Sequence, residues 1–402
     1  MHCTRKIADE LYYVGGSDRR LDKFENLLPL TRGVSYNSYV ILDKKTCLMD
    51  TIDTSLTRTF LDNLEYVLNG RKLDYLVVHH MEPDHAYNLT QVLYRHPETK
   101  VVGNLKTFGF IHNFFPELNL EDKKIVVKEG DTLDLGTHKL HFCLTPMVHW
   151  PEVMMSFEEK EGWAFTADAF GTFDSLDGNL FADQLDFEHE RLAEARRYYA
   201  NIVGKYGLQV QMAFKKLLPL PIKMILPLHG PIYRTKEDIS FIVDKYQKWS
   251  TYTPETKGVI IVYGTMYGDT EVASDILADD LSELGVKNIQ VYDASKVDPS
   301  YLVGEAFRVS NIVILSPTYN ATIYPAIDTF ITDFLRMGLQ NRTFTLGQNG
   351  SWVPQALNLI KSKLDAGKNY SYTSTEISIA SSLNDEQLDT LKQMAKEIKE
   401  TL

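Results

Sequence analysis

The stretch His79-His80-Met81-Glu82-Pro83-Asp84-His85 constrains this chain more than any other. It follows Leu73-Asp74-Tyr75-Leu76-Val77-Val78, whose apolar and β-prone residues predict a buried strand. It precedes Ala86-Tyr87-Asn88-Leu89-Thr90-Gln91-Val92-Leu93, whose spacing predicts a helix. The cluster therefore belongs on a loop at the C-terminal end of a strand, where rigid scaffolds present reactive groups. Two imidazoles and two carboxylates within residues 80–85 point to metal binding, the alternative being a polar loop with solvated charges. His80 and Glu82, two apart in an extended turn, can face the same way, whereas Pro83 redirects the chain before Asp84 and His85. Two pairs aimed differently suit two metals better than one.

The same arrangement recurs downstream. A predicted strand over Lys139–Leu144 runs into Thr145-Pro146-Met147-Val148-His149-Trp150-Pro151, Trp163–Thr166 runs into Ala167-Asp168-Ala169-Phe170-Gly171, and Lys223–Leu226 runs into Pro227-Leu228-His229-Gly230-Pro231. Taken singly, His149 or His229 reads as an ordinary capped or buried histidine; recurrence at strand ends reverses that reading. His80, His85, His149 and His229 then supply nitrogen ligands and Glu82, Asp84 and Asp168 oxygen ligands. Seven are too many for one ion and natural for two, with Asp168 as the bridge. His79 reads as a support for the cluster or as structural, and the remaining histidines as ordinary.

At 402 residues the chain exceeds a typical single domain, so two domains are expected. A formal charge of −12 argues against nucleic acid or an anionic membrane as partner. No apolar run reaches the length of a membrane span and the first residues do not resemble a signal peptide, so the expected location is cytoplasmic. Cys3, Cys47 and Cys143 are scattered without a C-x-x-C pair, which encodes neither a disulfide framework nor a cysteine-ligated metal. Any redox chemistry must use other cofactors.

Short strands are expected at Glu10–Val14, Ser38–Leu42 and Cys47–Asp50, and a helix near Thr54–Leu68. Residues 186–218 read as one long helical region in which Tyr198, Tyr199, Ile202, Val203 and Tyr206 recur at helical spacing. A boundary falls near Ser250-Thr251-Tyr252-Thr253-Pro254, giving domains over residues 1–250 and 251–402. Beyond it, β-α alternation predicts parallel strands at Gly258–Tyr263, Asn288–Tyr292, Asn311–Leu315, Thr343–Leu346 and Glu376–Ile379, a doubly wound sheet.

Three loops leave the ends of those strands. The first, Gly264-Thr265-Met266-Tyr267-Gly268-Asp269-Thr270, can close amides and hydroxyls around a phosphate at a helix N-terminus. It lacks G-x-G-x-x-G and G-K-[ST], so a monophosphate fits better than a dinucleotide or a hydrolysed triphosphate. The second, Ser316-Pro317-Thr318-Tyr319-Asn320-Ala321, leaves backbone groups free to meet a ring system, and the third, Gly347-Gln348-Asn349-Gly350-Ser351-Trp352, offers an indole for stacking.

The pattern H-x-E-x-D-H with single His, Asp and His ligands on later loops resembles the diiron domain of flavodiiron proteins, as do the loops TPMVHWPE, ADAFG and LPLHGP. The three later loops together resemble the FMN site of flavodoxins, although the family often has a Gly-Ser-Tyr-Gly-Trp type of run where Gln348 and Asn349 stand. The resemblance implies an α/β chain, a metallo-β-lactamase-like αββα sandwich followed by a flavodoxin-like five-stranded parallel sheet. One iron would be held by His80, Glu82, His149 and Asp168, the other by Asp84, His85, Asp168 and His229, with FMN on the second domain. The activity implied is reduction of O2 to water, of NO to N2O, or both, with electrons from rubredoxin or a similar external carrier. A head-to-tail homodimer, or a dimer of such dimers, is implied as well. Tyr198 is the candidate to give a hydrogen bond or proton, with a core tyrosine as the alternative. Glu25, where some relatives have histidine, is a candidate to influence the choice of gas. The competing reading, a zinc hydrolase of the metallo-β-lactamase superfamily fused to a flavodoxin domain, sits poorly with Glu82, where histidine is more usual.

Overall fold

Strand after strand in the first half of the chain is buried on both faces, and the reason is a pair of sheets stacked face to face under helices. The computed structural model describes residues 1–402 and divides into two units. The first comprises Met1–Tyr198 and Leu208–Tyr246, the second Tyr199–Gly207 and Gln247–Leu402.

In the first unit one sheet runs in the order Arg5–Ala8, Leu11–Tyr13, Tyr39–Leu42, Thr46–Met49, Tyr75–Val77, Lys100–Gly103, Lys124–Val126. Its first four strands pair antiparallel and the remainder parallel. The other sheet runs Thr132–Asp134, Lys139–Leu144, Met154–Glu158, Trp163–Phe165, Met224–Leu226, antiparallel until its last, parallel pair. Tyr39, Ile41, Met49, Val77 and Val102 from the first sheet pack with Phe142, Met154, Phe165 and Leu226 from the second in one core. Each such side chain contributes roughly 1.5–3 kcal/mol on burial. The alternate residues Val40, Leu48 and Leu76 are also buried, which requires cover on the outer face. The helix Thr57–Leu68 turns Phe60, Leu61, Leu64 and Val67 inward for this purpose.

Two local expectations change, and one strand lies where none was expected. The strand expected at Glu10–Val14 is a hairpin, Arg5–Ala8 against Leu11–Tyr13, with Glu10 in its turn at φ 63°. Met154–Glu158, a central strand buried at every residue, shows none of the alternation that marks a half-exposed strand. The helical region 186–218 is broken into Phe187–Glu190, Leu192–Tyr198, a π-helical turn Tyr199–Val203, a 3-10 turn Gly204–Tyr206 and Gly207–Leu217. Such π turns accompany functional sites often enough to be noted.

In the second unit the parallel strands lie in the order Ile289–Asp293, Thr256–Tyr263, Val309–Tyr319, Thr343–Asn349, the fifth position being shared by Ser371–Tyr372 and Ile377–Ile379. This is the doubly wound 2-1-3-4-5 order, with its reversal point at the end of the first strand. Helix starts follow local chemistry. Asp298 caps Pro299–Arg308 with proline at the first position, and Asn384 and Gln387 form a capping box for Asp385–Glu400. Arg342 is fully buried and donates to the carbonyls of Tyr252, Ala306 and Phe307; burial brings its pKa down to about 9.

Candidate metal centre and cofactor pocket

Each candidate metal ligand follows the C-terminal end of a strand of the first unit. His80 lies three residues past Tyr75–Val77. Asp84 and His85 sit on a short helix, Pro83–Ala86, and not on an open loop. Pro83 at the first helical position is pre-set for that turn, so it starts a helix where the sequence reading had it only redirect the chain. His149 lies between Lys139–Leu144 and Met154–Glu158. Asp168 follows Trp163–Phe165, with Ala167 at φ 50° turning the chain before it. His229 follows Met224–Leu226, and Gly230 after it has φ +75° with a would-be Cβ 2.2 Å from Thr172 Cγ2, so only glycine fits there.

The side chains converge in two groups. His80 Nε2 lies 3.2 Å from Glu82 Oε2, and His149 Nε2 lies 3.0 Å from both Glu82 Oε2 and Asp168 Oδ2. His85 Nε2 and His229 Nε2 approach to 3.0 Å, and Asp84 Oδ2 is 3.4 and 3.3 Å from them. Asp168 joins the groups, with Oδ2 toward His80 and His149 and Oδ1 3.2 Å from His85 Nε2. Within each group the donor atoms lie no more than 4.8 Å apart.

All seven side chains are buried, none above 12 % side-chain exposure. Both Asp84 oxygens and Asp168 Oδ1 have no hydrogen-bond partner. Orphaned buried carboxylate oxygens and two imidazole nitrogens in mutual contact are costly arrangements for protein alone, and a pair of divalent cations would satisfy all of them. The donor set of imidazole and carboxylate suits iron at least as well as zinc.

Electrostatics agree with that fit. Burial by itself would lower the imidazole pKa values, but Asp168, Glu152 and Glu82 outweigh it at His80, holding its pKa well above the usual range. Against the same desolvation, Asp84 and Asp168 push His85 up to about 9, and hydrogen bonds to Asp168 and Glu82 push His149 up to about 9. Burial would raise Asp168 and Glu82, yet the surrounding imidazoles hold both carboxyls well below the usual range. The pocket thus demands positive charge, which protons or metal ions can supply.

Around the cluster the outer ring nitrogens are held unequally. His80 Nδ1 is 2.8 Å from Glu152 Oε1, His229 Nδ1 donates to the Ser35 carbonyl at 2.8 Å, and His85 Nδ1 has no partner. His79 points away from the cluster, its Nδ1 2.6 Å from Asp50 Oδ2 and its Nε2 2.8 Å from Ser156 Oγ. Tyr198 is fully buried, its ring 5.5 Å from that of His229, and its hydroxyl has no partner. Burial, reinforced by Asp168 and Glu82, raises its pKa well above the ordinary phenol value. Gly171 makes room for this ring, since a Cβ there would lie 3.1 Å from Tyr198 Cε1. Glu25 occupies the tip of the hairpin Lys23–Phe24 and Leu28–Pro29 at φ 51°, and its carboxyl meets Glu82. Glu25 is an exposed residue as a whole, yet protein crowding its carboxyl end, and then Glu82, push its pKa up to about 8.

In the second unit a cavity of about 360 Å³ opens where the three loops meet. Thr265, Met266, Tyr267, Asp269 and Thr270 line it from the first loop, and Pro317, Thr318, Asn320 and Ala321 from the second. Asn349, Gly350, Ser351 and Trp352 line it from the third. Other residues singled out on these loops have structural places. Gly268 precedes the helix Asp269–Glu283 at φ 103°, Ser316 Oγ accepts from Tyr324 N, and Tyr319 lines a neighbouring cavity. Gly347 is a strand residue, and Gln348 is engaged by Ser378 and Leu357 N. The second segment is not open loop. Val309–Tyr319 continues through it and pairs with Thr322–Ile323, with Asn320 and Ala321 turning at φ 48° and 59°. Val353 and Ser381 also line the cavity; neither belongs to a motif, so no signal marks them.

Comparison with known proteins agrees with both halves. The family described as "ODP family beta lactamase" matches residues 34–230. The anaerobic nitric oxide reductase flavorubredoxin of Escherichia coli O1:K1 / APEC is 31% identical over 369 residues, 90% of this chain and 75% of that protein. The protein of the same description from Aeromonas hydrophila is 31% identical over 370 residues, covering 90% and 73%. Among solved structures, rubredoxin oxygen:oxidoreductase from Desulfovibrio gigas superposes with a TM-score of 0.92 at 26% identity, over 99% of this chain and 98% of that one. The flavodiiron protein of Giardia intestinalis superposes with a TM-score of 0.92 at 22% identity, over 99% and 97%, and so supports the fold.

Proposed function

The chain belongs to the flavodiiron protein family, and from that premise we propose that it is an oxidoreductase reducing O2 to water, NO to N2O, or both. The observation that carries this reading is Asp168, whose two oxygens face two separate groups of ligands. When bound, two irons and FMN would supply the redox chemistry that reduction of a diatomic gas needs.

The protein's own part is to hold, orient and dry the site. His80, Glu82 and His149 form one half, Asp84, His85 and His229 the other, and Asp168 spans them. Phe24 and Trp150 pack edge-on against His229 and His80, an apolar boundary that limits water. Tyr198 keeps its phenolic proton at neutral pH, so its Oη–H is available to donate a hydrogen bond to a gas in the pocket. In the second unit, the Thr265–Thr270 loop, which runs into the helix Asp269–Glu283, would hold the flavin phosphate at that helix N-terminus, and Trp352 would offer its face to the ring system.

The names of the similar proteins, flavorubredoxin and rubredoxin oxygen:oxidoreductase, point to a rubredoxin-type donor of electrons, and the three cysteines of these residues are unpaired. The same cysteine usage suits the reducing cytoplasm, and no helix is long and apolar enough to cross a membrane. A head-to-tail dimer, or a pair of such dimers, brings one chain's flavin to the other chain's metal centre. The exposed apolar rim of the flavin pocket, Met266, Tyr267, Trp352 and Val353, is the kind of surface that seeks a partner.

Iron and flavin quantification with anaerobic turnover of each gas tests the activity. Two irons, one FMN and gas reduction support it, and zinc without turnover returns the hydrolase reading. Mixing a variant lacking His80 and His149 with one lacking Thr265 and Thr270 tests the assembly. Regained activity after subunit exchange supports the dimer, and none refutes it.

A further inference from the structure

We infer that Glu152 is a positioning residue for His80, fixing the ring so that its Nε2 lone pair faces the metal pocket; this rests on the metal reading above. Glu152 is 1 % exposed, and a single oxygen does the holding: Oε1 lies 2.8 Å from His80 Nδ1 and accepts from Met81 N at 2.9 Å. Its carboxylate forms an ion pair with no lysine or arginine, and His80 is its one ionisable partner within reach. Oε1 can accept from the ring only if Nδ1 carries the hydrogen, and with Oε2 buried without a partner the carboxylate has no other side-chain donor. With Nδ1 held in this way, Nε2, 3.2 Å from Glu82 Oε2 and 3.4 Å from Asp168 Oδ2, is the nitrogen left to exchange its proton for a cation.

Glu152 is itself anchored from behind. Its carbonyl accepts from the side-chain amide of Asn104, whose own carbonyl caps the helix Leu105–Phe114 by accepting from Lys106 N and Thr107 N. The support therefore runs from a helix N-terminus through Asn104 and Glu152 to His80 and the backbone of Met81. Two other outer nitrogens of the cluster differ from it, since His229 Nδ1 meets a neutral carbonyl and His85 Nδ1 meets nothing. An anionic acceptor makes the ring a stronger donor to a cation than a neutral one does. His80 is thereby a more firmly held and stronger nitrogen donor than His229 or His85.

The test uses the full chain with FMN bound, stripped of metal and titrated with Co2+, whose visible spectrum reports the ligand field. Glu152→Ala should weaken Co2+ binding roughly 10–100-fold and shift the spectrum, with flavin content unchanged. Glu152→Gln, which keeps an acceptor for both N–H groups but not the charge, should recover part of that loss. Affinity and spectrum of Glu152→Ala equal to those of the parent would overturn the inference while leaving the metal centre standing. So would equal Co2+ losses in both variants accompanied by equal drops in melting temperature, the mark of a loop brace alone. A parent protein that takes up no Co2+ would overturn the metal reading itself.

Discussion

The metal cluster and the flavin pocket both lie beyond the C-terminal ends of strands, yet they are made of opposite materials. In the first unit seven ionisable side chains converge under cover, with His80 held well above its usual pKa and Asp168 well below. In the second, backbone, hydroxyls and aromatic rims dominate, with Tyr267 93 % and Trp352 80 % exposed. A small hard ion repays only donors that point at one spot, and holding those donors out of water is tolerable only when the ion is there. A flat ring with a phosphate tail instead needs area and a helix N-terminus, neither of which strains the protein beforehand. One site is densely charged in advance of its cofactor; the other has a single charged side chain, Asp269, in its lining.

The largest effect that could break this contrast is Asp168→Ala. Losing the carboxylate shared by both groups should reduce metal content and abolish turnover, a greater loss than the roughly 10–100-fold expected from removing a residue that only orients a ligand. FMN content should stay intact, and two irons with full turnover would show that Asp168 is not the bridge. In the other direction, Thr265→Ala with Thr270→Ala should weaken FMN by about 1.5–3 kcal/mol for each hydrogen bond to phosphate lost and leave iron unchanged. Parallel loss of both cofactors in either experiment would mean that the units do not keep their sites independently.

Tyr198→Phe should act more gently. Turnover should fall by at most about 10²-fold, the lower end for a positioned proton donor, with iron and FMN contents unchanged. Because the hydroxyl is buried without a partner, its removal should leave the metal-free protein as stable or slightly more so in thermal unfolding. A marked drop in melting temperature would instead make Tyr198 a core residue.

The smallest expected effect sharpens the contrast away from either cofactor. His138 lies between Glu158 and Glu10, each 2.9 Å from a ring nitrogen, while its own N–H is held by Asp43 and Lys160 opposes from nearby. Burial would lower its pKa, but the two glutamates raise it above 6.5; at Glu158, burial is outweighed by His138 and backbone amides, which lower it below 4.5. The histidine's contribution is complete below 6.5 and is lost as pH rises through its raised value. That of Glu158 is present above 4.5 and is lost as pH falls through its lowered one. His138→Gln should therefore cost most stability between about pH 4.5 and 6.5 and progressively less above. Denaturant unfolding across that range decides it, and a pH-independent loss would rule out the charged pair.

Local chemistry made much of this protein legible in advance. Histidines or carboxylates after four predicted strands marked the cluster, and regular β-α alternation marked the second unit, because ligand chemistry and hydrophobic period are both properties of neighbouring residues. Where packing on both faces removed the alternation, as at Met154–Glu158, the strand left no pattern to read. The break of residues 186–218 into five pieces was hidden too, since a π turn and a 3-10 turn carry the same apolar spacing as the helix around them.

What the sequence by itself determined was the inventory: which side chains could ligate, which loops could meet a phosphate, and that three scattered cysteines could not serve a metal. Only the tertiary structure decided how the inventory is divided and supported. Asp168 turns one oxygen to each group of ligands, Tyr198 leaves its hydroxyl unpaired, and Glu152, 72 residues from His80 along the chain, closes on its ring. Those facts depend on two sheets meeting across one core, and distance through space between residues far apart in sequence is set by packing, not by any pattern within a window of residues.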